Sequence, residues 1–368
     1  NEVLAYWLAN TVTLLALFRR YIKPPSDAGM QSRRRSSSVT VGASLFGGFG
    51  SRNSFFGRAS PSPAAGGGKT SPGGVELTES EVKLVEAKYP ALLFKQQLDA
   101  FVQKIFSLIR DNIKRDIAVP IHNCIHAPRQ PRGAEKRRGG SVSERANAAH
   151  WNAILAVMDK LLLTLKSNHV PPFLVRKVFS QIFAFVNVQL FNQLLLRREC
   201  CSFTNGEYVK MGLTELESWI IGAGEKWVGK SSDELLQIRQ AVGFLVIHQK
   251  PKKSLDEIMK DLCPVLSVQQ LYRISTMYWD DKYGTETVSG EVLAQMKQQM
   301  VEDTNSNSAN TSFLLDDDPS VPFGFDDITM DITGIDLNDA ELPIPPALRE
   351  SDTFSFLQQP GVVSNAVY

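Results

Sequence analysis

The chain runs to 368 residues, enough for one large domain or two ordinary ones with a sizeable core. Hydrophobic residues make up 43% and charged residues 21%, which excludes wholesale disorder and collagen-like structure. Forty basic residues against thirty-nine acidic ones leave a net charge of +1, which speaks against a dedicated nucleic-acid binder.

The first apolar run, Val3 to Phe18, falls short of the ~20 residues a spanning helix needs and lacks the flanks of a signal peptide. Leu4, Trp7, Leu8, Leu14, Leu15, Phe18 and Ile22 share one side at helical spacing, so a core helix over residues 1–25 is expected. Composition then changes. Residues 26–74 hold eleven Ser, eleven Gly and a net charge of +5, a composition that predicts a disordered insert. Within it Arg33, Arg34 and Arg35 stand three residues before Ser36, Ser37 and Ser38, the spacing basophilic kinases favour, which makes these serines candidate phosphorylation sites. Gly66-Gly67-Gly68-Lys69-Thr70 fails as a phosphate-binding loop, because Pro63 stands where the first glycine belongs.

Beyond the insert the pattern is helix after helix. Pro90 suits a first helical position, followed by an apolar face of Phe94, Leu98, Phe101, Ile105, Leu108 and Ile109. A basic loop is expected over 127–148, then a helix marked by Trp151, Ile154, Leu155, Met158, Leu161, Leu162 and Leu165 that stops before Val170-Pro171-Pro172. The run from Phe173 to Glu199 is apolar nearly all round, as befits a helix in the middle of a bundle. Asn205-Gly206 reads as a separator between helical segments. Capping boxes are expected at Ser231 with Glu234, Ser254 with Glu257 and Ser267 with Gln270. Residues 302–341 carry eleven acidic and no basic residues, with Phe313, Leu314, Leu315, Phe323 and Phe325 interspersed. This acidic extension (302–368) is expected to pack back on basic helices such as those carrying Arg197-Arg198 or Lys250, Lys252 and Lys253. No period-2 strand pattern appears, and the fold class is all-α.

Chemistry is sparse. Gly222-Ala223-Gly224 begins a dinucleotide pattern that Trp227 breaks. His122, Cys124 and His126 lack a fourth metal ligand nearby, and small residues near a helix end are the simpler reading. The adjacent Cys200 and Cys201 read as core thiols, and His169 and His248 as helix-end residues. Asp280-Asp281 is adjacent and expected to be exposed. No catalytic, cofactor or metal residues are assigned. Four cysteines without disulfide-framework spacing fit a reducing cytosol, and a start on Asn1 reads as a piece of something longer.

Several long runs carry a family resemblance. VEAKYPALLFKQQL (85–98) resembles the start of the dilute-type (DIL) globular tail of class V and class XI myosins. NHVPPFLVRKVFSQIFAFVNVQLFNQLLLRRECCSFTNGEYVK (168–210), IRQAVGFLVIHQKPKKSLDEI (238–258), DLCPVLSVQQLYRISTMYWDDKYGT (261–285) and FLLDDD (313–318) look like plant class XI. Tyr6-Trp7-Leu8-Ala9-Asn10-Thr11 is similar to the first tail helix. The resemblance implies an elongated helical bundle of two packed subdomains, with the tail proper over 75–301. It implies a non-catalytic cargo-binding tail of a coiled-coil dimeric actin motor, whose ATPase head and calmodulin-like light chains lie elsewhere. It further implies cytoplasmic partners on vesicles and organelles: Rab-type small GTPases, membrane adaptors and the motor's own head. Carried over by alignment, the candidate partner-binding residues are Glu207, Tyr208, Met211, Glu215, Gly243 and Val246. Two other functions fit an all-α domain of this kind. One is a GTPase-regulating enzyme with Arg197 or Arg198 as an arginine finger; the other is a motor-free tethering scaffold.

Overall fold

A computed structural model describes residues 1–23, 85–86, 89–127, 141–280, 283–306, 312–324, 327–328 and 344–358. The serines at 36–38, the glycine run at 66–70, most of the basic loop, Asp281 and Phe325 lie outside the described residues. The chain divides into two compact units, residues 1–16 with 95–368, and residues 17–94. In the smaller unit Ile22–Lys23 (β1) pairs in parallel with Val85–Glu86 (β2), and Phe18 meets Phe94 with ring centroids 5.3 Å apart.

The described elements are otherwise helical, as the pattern predicts. They are α1 (Glu2–Tyr21), α2 (Tyr89–Cys124), α3 (Ser141–Ser167), α4 (Pro172–Leu196), α5 (Phe203–Ala223), α6 (Glu225–Val228), α7 (Leu236–Leu245), α8 (Leu255–Glu257), α9 (Val268–Met277), α10 (Gly290–Ser306) and α11 (Pro346–Arg349). Short 3-10 turns intervene, and α8 runs into a π-helical turn over Ile258–Leu262.

Helix α4 is the centre of the larger unit. Its length and apolarity would suffice to cross a membrane, yet about two-thirds of that stretch is buried inside the fold. It packs against α6, α7, α9 and the 3-10 segment Ser231–Leu235. One polar side chain is sunk in it. Asn187 donates to Gln237 Oε1 at 2.8 Å and accepts from the Ile238 amide at 2.9 Å, so it serves an orphan amide in the first turn of α7.

Helix phase is where the sequence pattern misleads. In α1 the buried face is Ala5, Leu8, Ala9, Val12 and Leu15, whereas Leu14 is 37% exposed. In α2 it is Leu98, Val102, Phe106, Ile109, Ile113, Ile117 and Ile121; Phe94, Phe101 and Leu108 lie outside, Phe101 at 57%. Helix α3 starts at Ser141, so the expected basic loop ends earlier than residue 148. It closes in a Schellman arrangement: the His169 amide donates to Lys166 O and the Val170 amide to Leu165 O, both at 3.0 Å. His169 takes the left-handed conformation (φ 53) more usual for glycine at that place. Ser254 and Ser267 form the expected capping boxes. Ser231 does not. Its hydroxyl donates to Val228 O, and Glu234 accepts from Ser180 instead.

The acidic segment 312–324 lies back on the helices but not on the cations expected. Lys114 of α2 holds Asp317 at 2.7 and 2.8 Å, and Arg110 donates to Pro319 O at 2.7 Å. Asn192 of α4 donates to Leu315 O and accepts from its amide, and Gln270 of α9 donates to Phe313 O. Phe323 inserts between Phe106 and Phe173. Three of the five basic residues named for this role are otherwise engaged. Arg197 contacts His122, Lys253 pairs with Glu257, and Lys250 is buried with Nζ donating to Leu245 O and Ile247 O.

Candidate functional site

Helix α5 carries four of the six sequence-chosen residues, and its surroundings decide which of them a partner can reach. Ser202 caps the helix by accepting from the Asn205 amide. Asn205-Gly206 is therefore the first turn of α5, not a break. The Asn205 side chain is buried and makes three bonds across the fold: to Ile125 O at 2.8 Å, to Cys200 O at 2.9 Å, and from the Ala127 amide at 2.8 Å. One residue on, a β-carbon at Gly206 would stand 2.9 Å from Leu245 Cβ and from Val246 Cγ1, so glycine lets the end of α7 lie against α5. Two turns on, Gly212 faces the indole of Trp151. Arg239 of α7 pairs with Glu217 at 2.5 Å, a second tie between these helices.

These contacts turn Asn205, Gly206, Tyr208, Val209, Gly212, Leu213, Leu216 and Ile220 inward. Glu207, Met211 and Glu215, spaced by four, are left on one exposed face, with Met211 69% exposed. Tyr208 is a correction. It is buried against Trp151, and burial pushes its hydroxyl up to about 12, so it belongs to the core rather than to a partner surface. Gly243 is half-buried with open space where a side chain would stand, and Val246 is half-buried beside Gly206. Alignment did not bring in Thr214, Ser218 and Ile221, which are exposed on the same face, Ile221 at 81%. Their spacing of three, seven and ten from Met211 is the signal that places them there.

The other reactive groups have structural employment. Burial pushes the thiols of Cys124, Cys200, Cys201 and Cys263 up to about 12, which leaves them protonated and unreactive. His126 Nδ1 lies 2.8 Å from Ala127 O, and the His248 ring packs on Phe203 at 4.5 Å. Gly224 (φ 87) ends α5, which accounts for one glycine of the apparent dinucleotide pattern.

Asp280 organises the turn after α9. It accepts from the Thr285 amide and hydroxyl and from the amides of Tyr283 and Gly284, at 3.0–3.2 Å. The Thr285 amide leads these donors in holding its carboxyl below the usual carboxylate range. Because the folded-state value is depressed, the contribution is present above the unfolded value of ~3.9 and is lost as pH falls through the folded one. Thermal melts between neutral and acidic pH should show the melting temperature falling on acidification, with Asp280→Asn lowering the neutral value and flattening the fall. An unchanged profile in the variant would remove Asp280 from this role.

Comparison with known proteins places this arrangement. Residues 177–282, covering most of α4 through α9, match the DIL domain model. The chain thus carries a DIL domain and is similar over nearly its whole length to plant myosins. It is 55% identical to Myosin-11 of Arabidopsis thaliana over 97% of its own length and 23% of that protein's. It is 54% identical to Myosin-17 of the same plant, with the same coverage. It therefore spans about a quarter of the length of these relatives. Among solved structures, Myo2-GTD in complex with Mmr1 is similar at a TM-score of 0.55 and 17% identity, covering 70% of this chain and 59% of that one. This likeness, at low identity, is one of fold.

Proposed function

We propose that the chain is the cargo-binding tail of an actin-based motor and links it to vesicles or organelles in the cytoplasm for intracellular transport. The exposed face of α5 is its docking surface. The observation that carries this is Met211, a large apolar side chain left in solvent between Glu207 and Glu215 on a helix held by Asn205, Gly206 and Gly212. A rigid helix with an apolar centre and charged rim is the anatomy of a protein–protein contact. Adaptor proteins and Rab-type small GTPases are the partners this reading supplies, and the Myo2 relative was solved with Mmr1 bound. Gly243 and Val246 would form the rim on the α7 side. The motor's own head is a further partner in this reading, and the dimeric coiled coil, actin contact and light chains belong to the parent protein. A GTPase-regulating role through Arg197 or Arg198 has less support, since the similarity is to DIL-domain myosins and Arg197 contacts His122 at 2.8 Å.

Met211→Arg tests the surface. A partner that must desolvate an unpaired guanidinium should lose at least about 100-fold in affinity. Stability should change by no more than about 0.5 kcal/mol, since the side chain is already outside. The measurement is retention of GTP- and GDP-loaded Rab proteins and of adaptors on the immobilised chain, beside its helical circular-dichroism signal. Undiminished binding by a folded variant would move the docking site off α5.

A further inference from the structure

At the far end of α5 a cationic surface is built around one indole. Lys166 of α3 and Lys226 of α6 place their ammonium groups 4.9 and 5.1 Å from the centre of the Trp227 ring. Arg176 of α4 donates to Lys226 O at 3.0 Å and so fixes α6 against the bundle. Lys226 and Lys230 are exposed, and among the described residues none of Lys166, Lys226 and Lys230 has a carboxylate partner. Of the nearby acids, Asp159 accepts from Trp219 Nε1 at 2.6 Å, and Glu225 is the single carboxylate on α6.

Two exposed aliphatic side chains lie close to these cations along the chain, Leu163 three residues before Lys166 and Ile221 five before Lys226. Trp151 meets Gly212 and Asp159 meets Trp219, so α3 and α5 run parallel and in step. That register brings Leu163, one turn before Lys166, to the C-terminal end of α5, where Ile221 lies. Leu163 is 69% and Ile221 81% exposed. Lysines, an indole and isolated aliphatics on one surface are the mixture an anionic bilayer takes up. Ammonium groups meet lipid phosphates and carboxylates, the indole sits at headgroup level, and the aliphatics reach the acyl boundary. An acidic peptide would use the cations and leave Leu163 and Ile221 in water.

We propose that this surface, centred on Trp227, is a direct contact for anionic lipid membrane. It adjoins the Met211 face, with which it shares Ile221, but Lys166, Lys226 and the indole belong to α3 and α6 and act independently of any protein partner. The tail would then touch its cargo membrane at a second point, adding avidity to the protein contact.

The test is co-sedimentation of the 368-residue chain with phosphatidylserine–phosphatidylcholine vesicles and with phosphatidylcholine vesicles alone, without any GTPase. Binding should require phosphatidylserine and weaken as salt is raised. Lys166→Gln with Lys226→Gln should cost about thirtyfold in affinity at unchanged circular dichroism, as expected for two charges near an anionic surface. Should that pair fail to fold, Lys226→Gln with Lys230→Gln, both at exposed positions, takes its place. Leu163→Ser with Ile221→Ser should weaken the binding that persists at high salt. Equal binding to both vesicle types overturns the proposal. So does binding that survives in the lysine variants, as it would if the basic 26–74 segment carried it. Capture of an acidic peptide without vesicle binding overturns it as well.

Discussion

Asn205→Ala is expected to destabilise the chain by about 3–5 kcal/mol, far more than a typical single substitution. The reason is arithmetic of partners. The amide of Asn205 serves Ile125 O, Cys200 O and the Ala127 amide, three main-chain groups from two segments of the fold, and all three bonds are 2.8–2.9 Å long. Ile125 and Cys200 are fully buried, so water cannot replace the lost donor without opening the packing between the end of α2 and the start of α5. Asn205→Asp is expected to be worse, because it would turn a carboxylate oxygen towards two carbonyl oxygens in a buried place. Urea unfolding followed by circular dichroism measures both. A loss below about 1 kcal/mol for the alanine variant would mean that these groups find other partners, and that Asn205 does not position the α5 face.

The same residue shows how far the sequence could be read. Asn-Gly is a strong turn signal, and locally it points to a break. What keeps it helical is tertiary: partners 78 and 80 residues away and a glycine pressed on Leu245 and Val246. Helix existence was legible because α4 is apolar all round and because Ser254 and Ser267 announce helix starts. Helix phase in α2 was not. Phe94, Phe101 and Leu108 repeat every seven residues and look like a core stripe, while the true core is the neighbouring line through Val102, Phe106 and Ile113. On α5, spacing alone puts Glu207, Met211 and Glu215 on one face. Tyr208 was carried over by alignment, which does not register burial, and it is Trp151 packed against it that shows it facing inward. The acidic segment illustrates the opposite failure. Clustered lysines drew attention, yet the cations that hold it are Arg110 and Lys114, one turn apart on a single helix.

Gly212→Ala is expected to reverse the usual sign of a helix-interior glycine substitution. Alanine in place of glycine stabilises an open helix position by about 1 kcal/mol. At Gly212, however, the added carbon would fall on Cε2 and Cδ2 of Trp151, inside the indole itself. Trp151 is 2% exposed and held between α3 and α5, so either the ring leaves its place or the helices separate, at a cost of about 3 kcal/mol or more. Gly222 is the control. It lies on the same helix with nothing within 4 Å of the added carbon, so Gly222→Ala should be neutral or mildly stabilising. The mechanism also fixes how the two partners combine. Trp151→Leu alone leaves a cavity and costs about 2–4 kcal/mol. Gly212→Ala added to it should cost little more, a coupling of at least about 1 kcal/mol in a double-mutant cycle. Strict additivity would show that the glycine serves something other than the indole. Because Met211 sits one residue before Gly212, a helix pushed outward there would also shift the docking face. Partner affinity in the folded fraction of Gly212→Ala should therefore fall, while Gly222→Ala leaves it unchanged.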